Sequence, residues 1–201
     1  MADLSIENSH SGVICGVDEA GRGPLVGPVV AAAVILDMDN IPEGINDSKK
    51  LSLKKREKLF TEINLTAKVA VGIASIEEID SINILWASML AMQRAVCSLG
   101  VTPDMALIDG NRTPKELPCD AIAVIKGDSK SLSIAAASII AKVTRDNLIC
   151  ELAKEFPAYG WERNSGYGTK EHKDAMTKHG ITKYHRKSFA PVKQFLQSSC
   201  A

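Results

Sequence analysis

Gly12-Val13-Ile14-Cys15-Gly16-Val17-Asp18-Glu19-Ala20-Gly21-Arg22-Gly23-Pro24 is the stretch on which the architecture turns. Its first half, Gly12–Asp18, is short, apolar and β-branched, which suits a buried strand. The acidic pair Asp18-Glu19 ends that strand. A glycine-rich turn over Gly21–Gly27 then leads into a second apolar run, Val29–Leu36. Two neighbouring strands joined by a tight, specialised loop are predicted.

Reading outward, Asp37–Asp47 contains Pro42 and Gly44 and is loop. Ser52 caps a predicted helix running to about Ile63, with Leu53, Phe60 and Ile63 on one face. Ala67–Ser75 is a third strand. Ile79–Leu99 is a long helix with Ile82, Leu85, Met89, Met92 and Val96 at helical spacing, ended by Gly100. Met105–Asp109 and Ala121–Ile125 are strands four and five. Leu132–Phe156 is a second long helix with Leu132, Ala136, Ile139, Val143 and Leu152 inward, stopped by Pro157. Three strands followed by strands alternating with helices imply an α/β domain with a mixed, five-stranded sheet flanked by helices. One domain is expected over residues 1–201, with its core at 12–156. A basic extension, helical or irregular, follows at 157–201, with one helix from Lys170 to His179.

Composition narrows the function classes. Hydrophobic residues make up 45% of the 201, enough for a sizeable core, but only 4% are aromatic, so that core is aliphatic and alanine-rich. Acidic and basic residues balance at 24 each, so net charge alone gives no hint of a polyanionic partner. The five cysteines are odd in number and form no CxxC, which argues against a disulfide framework and a zinc ribbon. Met1–Ser11 lacks the pattern of a signal peptide, and Val29–Leu36 and Ile134–Ala141 are too short to cross a bilayer. A cytoplasmic protein without membrane contact is expected.

The chemistry gathers at strand ends. Asp18 and Glu19 end the first strand, Asp109 ends the fourth, and Asp128 follows the fifth within Lys126-Gly127-Asp128. Ligand sites in α/β sheets collect at strand C-termini, where these acids can converge. Converged carboxylates need a counter-charge, and all-oxygen ligands favour Mg²⁺ or Mn²⁺ over zinc. Two such ions about 4 Å apart suit phosphodiester hydrolysis. Each acid taken singly also fits an ordinary turn or cap, Asp109-Gly110-Asn111 above all. Gly21-Arg22-Gly23-Pro24 lets backbone approach a ligand closely, although a plain tight turn explains it as well. It is neither a phosphate-binding Walker loop nor a dinucleotide fingerprint, because its spacing is wrong and a strand follows it.

Basic residues cluster in two places. Lys49, Lys50, Lys54, Lys55, Arg56 and Lys58 surround the start of the first helix, and eight more lie between Arg163 and Lys193. Tyr159, Trp161, Tyr167 and Tyr184 are interleaved with the second group, a mixture fit for phosphates and stacked sugars or bases. A solvated face is the other reading. His172 and His179 lie seven apart and are expected to face solvent.

The stretch Val17–Pro24 resembles the opening signature of ribonuclease HII. Asp47–Leu51, Asp109–Asn111, Lys126–Asp128, Ala137–Lys142, Gly166–Thr169 and His185–Phe189 resemble its later blocks, in order, over roughly Val13 to Val192. The resemblance implies a ribonuclease H-like fold and a Mn²⁺ or Mg²⁺ site formed by Asp18, Glu19, Asp109 and Asp128. It implies an endonuclease acting on RNA–DNA hybrids and on single ribonucleotides in duplex DNA, as in ribonucleotide excision repair, and working as a monomer. It also implies a ribose 2′-hydroxyl sensor built from Gly21, Arg22, Gly23 and Tyr167. Lys49 would contact phosphate, and Ser138, Lys142 and Arg186 would support the substrate. Ser165, where the family often has lysine, and Tyr184, where a smaller aliphatic residue is common, depart from its pattern.

Overall fold

The computed structural model describes residues 2–198. A five-stranded sheet has the order β3-β2-β1-β4-β5. β1 is Ile14–Ala20, β2 Val29–Ile35, β3 Lys68–Ala74, β4 Met105–Asp109 and β5 Asp120–Val124. β1, β2 and β3 pair antiparallel, while β4 pairs parallel with both β1 and β5. The mixed sheet and the five strands are as expected. β1 runs two residues further than predicted and so carries Glu19 inside the ladder, opposite Ala31.

Helices α1 (Leu53–Thr66), α2 (Ile76–Cys97) and α3 (Leu132–Glu155) cover the sheet. Cys15, Val17, Val29, Ala31 and Ala33 pack with Ala87, Ala91, Met92, Ala95 and Val96 of α2. Ala32 and Val34 pack on the other face with Leu59 and Ile63 of α1 and the alanine-rich stretch of α3. Small residues allow close seating. A Cβ on Gly16 would lie 2.1 Å from the Ser133 carbonyl carbon, so α3 rests directly on the backbone of β1. Strand alternation then puts Asp18, two residues on, on the α3 side. Glu7 locks the start of α3: its buried Oε1 accepts from Ser131 Oγ, Ser133 N and Ser133 Oγ at 2.6–2.9 Å, where a carboxylate also complements the helix dipole.

Two helices depart from their predicted faces. In α1 the buried residues are Leu59 and Ile63, and Leu53 is 60% exposed. α2 begins at Ile76, three residues earlier than predicted, with a capping box between Ser75 and Glu78. It is broken at Asn83, whose φ of 65° is left-handed and whose Oδ1 accepts from Leu85 N and Trp86 N. The break resets the helical phase, so Met89, Met92 and Val96 are buried while Ile82 is exposed.

The segment after α3 holds short α4 (Trp161–Asn164), α5 (Lys170–His179, as predicted) and α6 (Ala190–Ser198). It builds a third apolar cluster in which Tyr159, Trp161, Ala175, Met176 and Val192 pack on Leu25, Val26, Ile149 and Ala153. Tyr159 and Trp161 are therefore buried, not surface platforms. His172 is buried as well, against the expectation of exposure, whereas His179 is exposed. The four cysteines among the described residues are free, and Cys200 lies outside them. No described helix is long and apolar enough to cross a membrane.

Candidate active site

The parallel pairing of β1 with β4 places Val17 opposite Ile108, so the next residues, Asp18 and Asp109, leave the sheet side by side. Asp109 Oδ1 accepts from Gly127 N at 2.7 Å, which draws in the turn bearing Asp128. Glycine at 127 leaves room for this approach, since a Cβ there would lie 2.5 Å from Ile134 Cδ1 and 3.2 Å from Asp109 Oδ1. Lys49 enters on a short turn whose Asp47 side chain accepts from Lys49 N at 3.0 Å. Ser48 N donates to Ser138 Oγ at 3.3 Å, pinning this turn to α3. Lys49 Nζ reaches Asp128 Oδ2 at 3.6 Å.

These groups line a cleft of about 320 Å³. Ten of the twelve predicted site residues are on its wall: Asp18, Glu19, Gly21, Arg22, Gly23, Lys49, Asp109, Ser138, Lys142 and Tyr167. Asp128 joins them through Lys49. Arg186 does not. It is fully buried behind the glycine loop, where its Nε, Nη1 and Nη2 donate to the carbonyls of Gly27, Arg22, Pro24, Gly21 and Pro28 at 2.7–3.2 Å. A guanidinium has five N–H donors, and all five are spent on this loop. Arg186 is thus a clamp on the loop and not a surface contact.

Arg145, which sequence reasoning passed over, is a second clamp and also lines the cleft. It donates to Pro28 O, Ser165 O and Val26 O at 3.0–3.4 Å. Its stripe on α3 continues from Ser138 and Lys142, and that spacing was the available signal. A Cβ on Gly21, whose φ is +101°, would strike Arg145 Nε at 2.2 Å. With the Gly21 and Arg22 carbonyls turned inward to the Arg186 guanidinium, Gly21-Arg22-Gly23 line the cleft. Burial, and then the Arg145 charge, push the Arg186 pKa down to about 9. At neutral pH it still holds its proton. Tyr167, 49% exposed, lays its ring 3.2 Å from the Cβ position of Gly23.

The electrostatics concern crowded negative charge. Burial, followed by the charges of Glu19 and Asp109, raises the Asp18 carboxyl well above the usual carboxylate range. Burial also raises Glu19, against the Arg22 guanidinium 3.1 Å from its Oε1. Glu19 Oε2 is buried without a hydrogen-bond partner among the described residues. Burial and then Asp109 raise Asp128. Lys49 is held above its ordinary value because Asp128, Asp18, Asp47 and Asp109 together outweigh its desolvation. Each acid is engaged locally: Asp18 by Glu19 N, Glu19 by Arg22, Asp109 by Gly127 N and Asp128 by Lys49. No three acidic, histidine or cysteine side chains among the described residues close around one ion-sized point. The donor set nonetheless fits hard divalent cations, being all oxygen, anionic and short of counter-charge.

The ribonuclease HII family model matches residues 15–192. The chain is 63% identical over 185 residues to the ribonuclease HII of Magnetococcus marinus, covering 91% of this chain and 87% of that protein. It is 58% identical over 183 residues to the ribonuclease HII of Ruegeria pomeroyi, with coverage of 91% and 78%. The crystal structure of ribonuclease H2 from Pyrococcus horikoshii superposes with a TM-score of 0.76 at 29% identity, covering 92% of this chain and 97% of that one. The ribonuclease H-like fold expected from the motifs is thus the fold observed, and likeness of this extent means that the chain belongs to the ribonuclease HII family.

Proposed function

We propose that this type 2 ribonuclease H hydrolyses the RNA strand of hybrids and cuts on the 5′ side of a lone ribonucleotide in duplex DNA. It leaves 3′-hydroxyl and 5′-phosphate ends. The observation that carries this reading is the shared wall of the cleft. Asp18 and Glu19 run directly into Gly21-Arg22-Gly23, and the Tyr167 ring lies on Gly23. Recognition of a sugar and attack on its phosphate are thereby adjacent.

Asp18, Glu19, Asp109 and Asp128 would hold the Mg²⁺ or Mn²⁺ ions. Bound there, such ions would supply the positive charge that phosphodiester hydrolysis calls for at the attacking water and the leaving oxygen. The chain's own groups do the rest. A 2′-hydroxyl both donates and accepts hydrogen bonds, and backbone N–H and C=O groups that come close to it can read it. The clamped loop offers that backbone without a Cβ at 21 or 23. Tyr167 stacks on the adjoining sugar. Lys49 and Lys142 neutralise phosphates as the strand enters, and Ser138 acts by holding the Lys49 turn. A monomer carries every group this scheme uses.

A labelled DNA duplex with one ribonucleotide, incubated with each metal in turn, tests the proposal. One cut immediately 5′ of the ribonucleotide, ending in a 3′-hydroxyl, is expected, with an all-DNA duplex left intact. Cutting of the all-DNA duplex removes the basis for the 2′-hydroxyl sensor.

A further inference from the structure

Three buried rings lie behind Tyr167, and none of them touches the cleft. Trp161 Nε1 donates to His172 Nε2 at 3.1 Å. His172 Nε2 and His185 Nε2 are 3.2 Å apart. His185 Nδ1 lies 2.9 Å from Thr182 N, and His172 Nδ1 lies 2.9 Å from the Tyr167 carbonyl. Trp161, His172 and His185 are all 0% exposed.

The ends of this chain of contacts determine its protons. The Thr182 amide can only donate, so His185 Nδ1 must accept and the His185 proton sits on Nε2. That N–H points at His172 Nε2, which already accepts from an indole, a donor-only group. His172 Nε2 is therefore bare, and its proton sits on Nδ1, directed at the Tyr167 carbonyl. A single arrangement of two neutral tautomers gives every ring nitrogen its role: the one lone pair of His172 Nε2 is shared between the indole N–H and the His185 N–H, and that of His185 Nδ1 faces both Thr182 N and Thr182 Oγ1, 3.1 Å away. The same carbonyl also receives Thr169 N at 2.8 Å, and Tyr167 N donates to Asn164 O at 2.8 Å. Asn164 in turn bonds Tyr159 O and Gly166 N.

We infer that Trp161, His172 and His185 form a proton-ordered strut whose task is to fix the backbone of Tyr167 so that its ring is presented over Gly23. They are positioning residues for recognition of the ribonucleotide junction. The inference rests on the reading of Tyr167 given above. The strut reaches the other half of the sensor too. His185 forms a bridge with Val26, and Arg186, the next residue, clamps the glycine loop. One short segment therefore holds both the tyrosine and the loop it faces. Packing alone would not call for a donor aimed at one particular carbonyl.

The test compares kcat/KM on a single-ribonucleotide duplex with kcat/KM on a continuous hybrid, so that changes in the chemical step cancel in the ratio. His172→Asn keeps a nitrogen donor at the Nδ1 position and loses the Nε2 acceptor. His172→Leu loses both. Both variants should melt lower than wild type. His172→Leu should lower the ratio roughly fivefold, the worth of one ordinary hydrogen bond, while His172→Asn keeps it. If both variants hold the wild-type ratio while Tyr167→Ala collapses it, the rings are packing only and the inference is overturned. An unchanged ratio in Tyr167→Ala overturns the reading of Tyr167 and, with it, the task assigned to the strut. Nitrogen-15 NMR of the wild-type imidazoles decides the matter independently of any variant's folding. A proton on His172 Nδ1 and His185 Nε2 supports the strut, and the opposite tautomer at either ring overturns it.

Discussion

Arg186→Lys separates a clamp from a surface contact. The guanidinium serves five carbonyls, and a lysine has three donors. Two buried carbonyls of the glycine loop would then lack a partner. Pro28 O keeps the long contact from Arg145 Nε, so the effective number of orphans lies between one and two. At about 1–3 kcal/mol for each unsatisfied buried group, the substitution should cost about 3 kcal/mol. For a chain of this size that is a fall in Tm of about 6–12 °C. Differential scanning calorimetry at neutral pH measures it, with the neighbouring exposed Lys187→Gln as the control. Junction cleavage should fall along with stability, because the freed loop no longer holds its backbone toward the cleft. A stability change within about 0.5 kcal/mol, the range of ordinary surface substitutions, refutes the clamp and returns Arg186 to the substrate.

Three further outcomes follow from the same structure. Asp18→Asn should lose roughly three orders of magnitude in turnover yet melt higher than wild type in EDTA at pH 7, since the raised pKa of Asp18 means that its ionisation costs stability; turnover within about tenfold of wild type, or a lower Tm, would count against its place in the acid set. Cleavage should vanish in EDTA and return with Mg²⁺ or Mn²⁺ but not with Ca²⁺, whose longer, looser coordination holds a phosphate poorly for in-line attack; full activity in EDTA excludes the metal-ion scheme. Burial, and then the charge of His172, push the His185 pKa down to about 4, below an unfolded value near 6.5. The folded protein binds fewer protons there, so this contribution is complete above pH 6.5 and is lost as the pH falls through about 4. Urea unfolding between pH 6.5 and 5 should show a shallower pH slope in His185→Gln than in wild type, and equal slopes speak against a buried neutral pair.

The strands and the acids were legible because their signals are local. An apolar β-branched run ending in Asp-Glu places a strand and two carboxylates together, and β4 matched its predicted bounds residue for residue. The Ser75-x-x-Glu78 capping box was equally visible and marks the true start of α2, which hydrophobic spacing alone set too late. The break at Asn83 was not legible, since only tertiary packing repays a left-handed asparagine within a helix. The basic tail misled for a related reason. Its aromatic and basic residues alternate as on a nucleic-acid surface, but Tyr159, Trp161 and His172 are turned inward to build the third cluster. Charge patterning reports what the lysines do and is silent about the rings between them. Arg186 shows the same limit: its motif pointed to the site, but not to which side of the loop it stands on.

The clamp also dictates an order of assembly. Gly21 and Arg186 are 165 positions apart, yet one hydrogen bond of 2.7 Å joins them. A contact between residues so distant carries a larger closure entropy than a local one, and it cannot form before both residues have been made. At about 5–20 residues per second a ribosome needs many seconds to travel from one to the other. The strands bearing Asp18 and Asp109 emerge long before the residue that clamps the glycine loop beside the acids. A growing chain can therefore display its carboxylates while the cleft is still unfinished. The backbone that the loop presents to the cleft is therefore fixed after the carboxylates are, and only once Arg186 has been made.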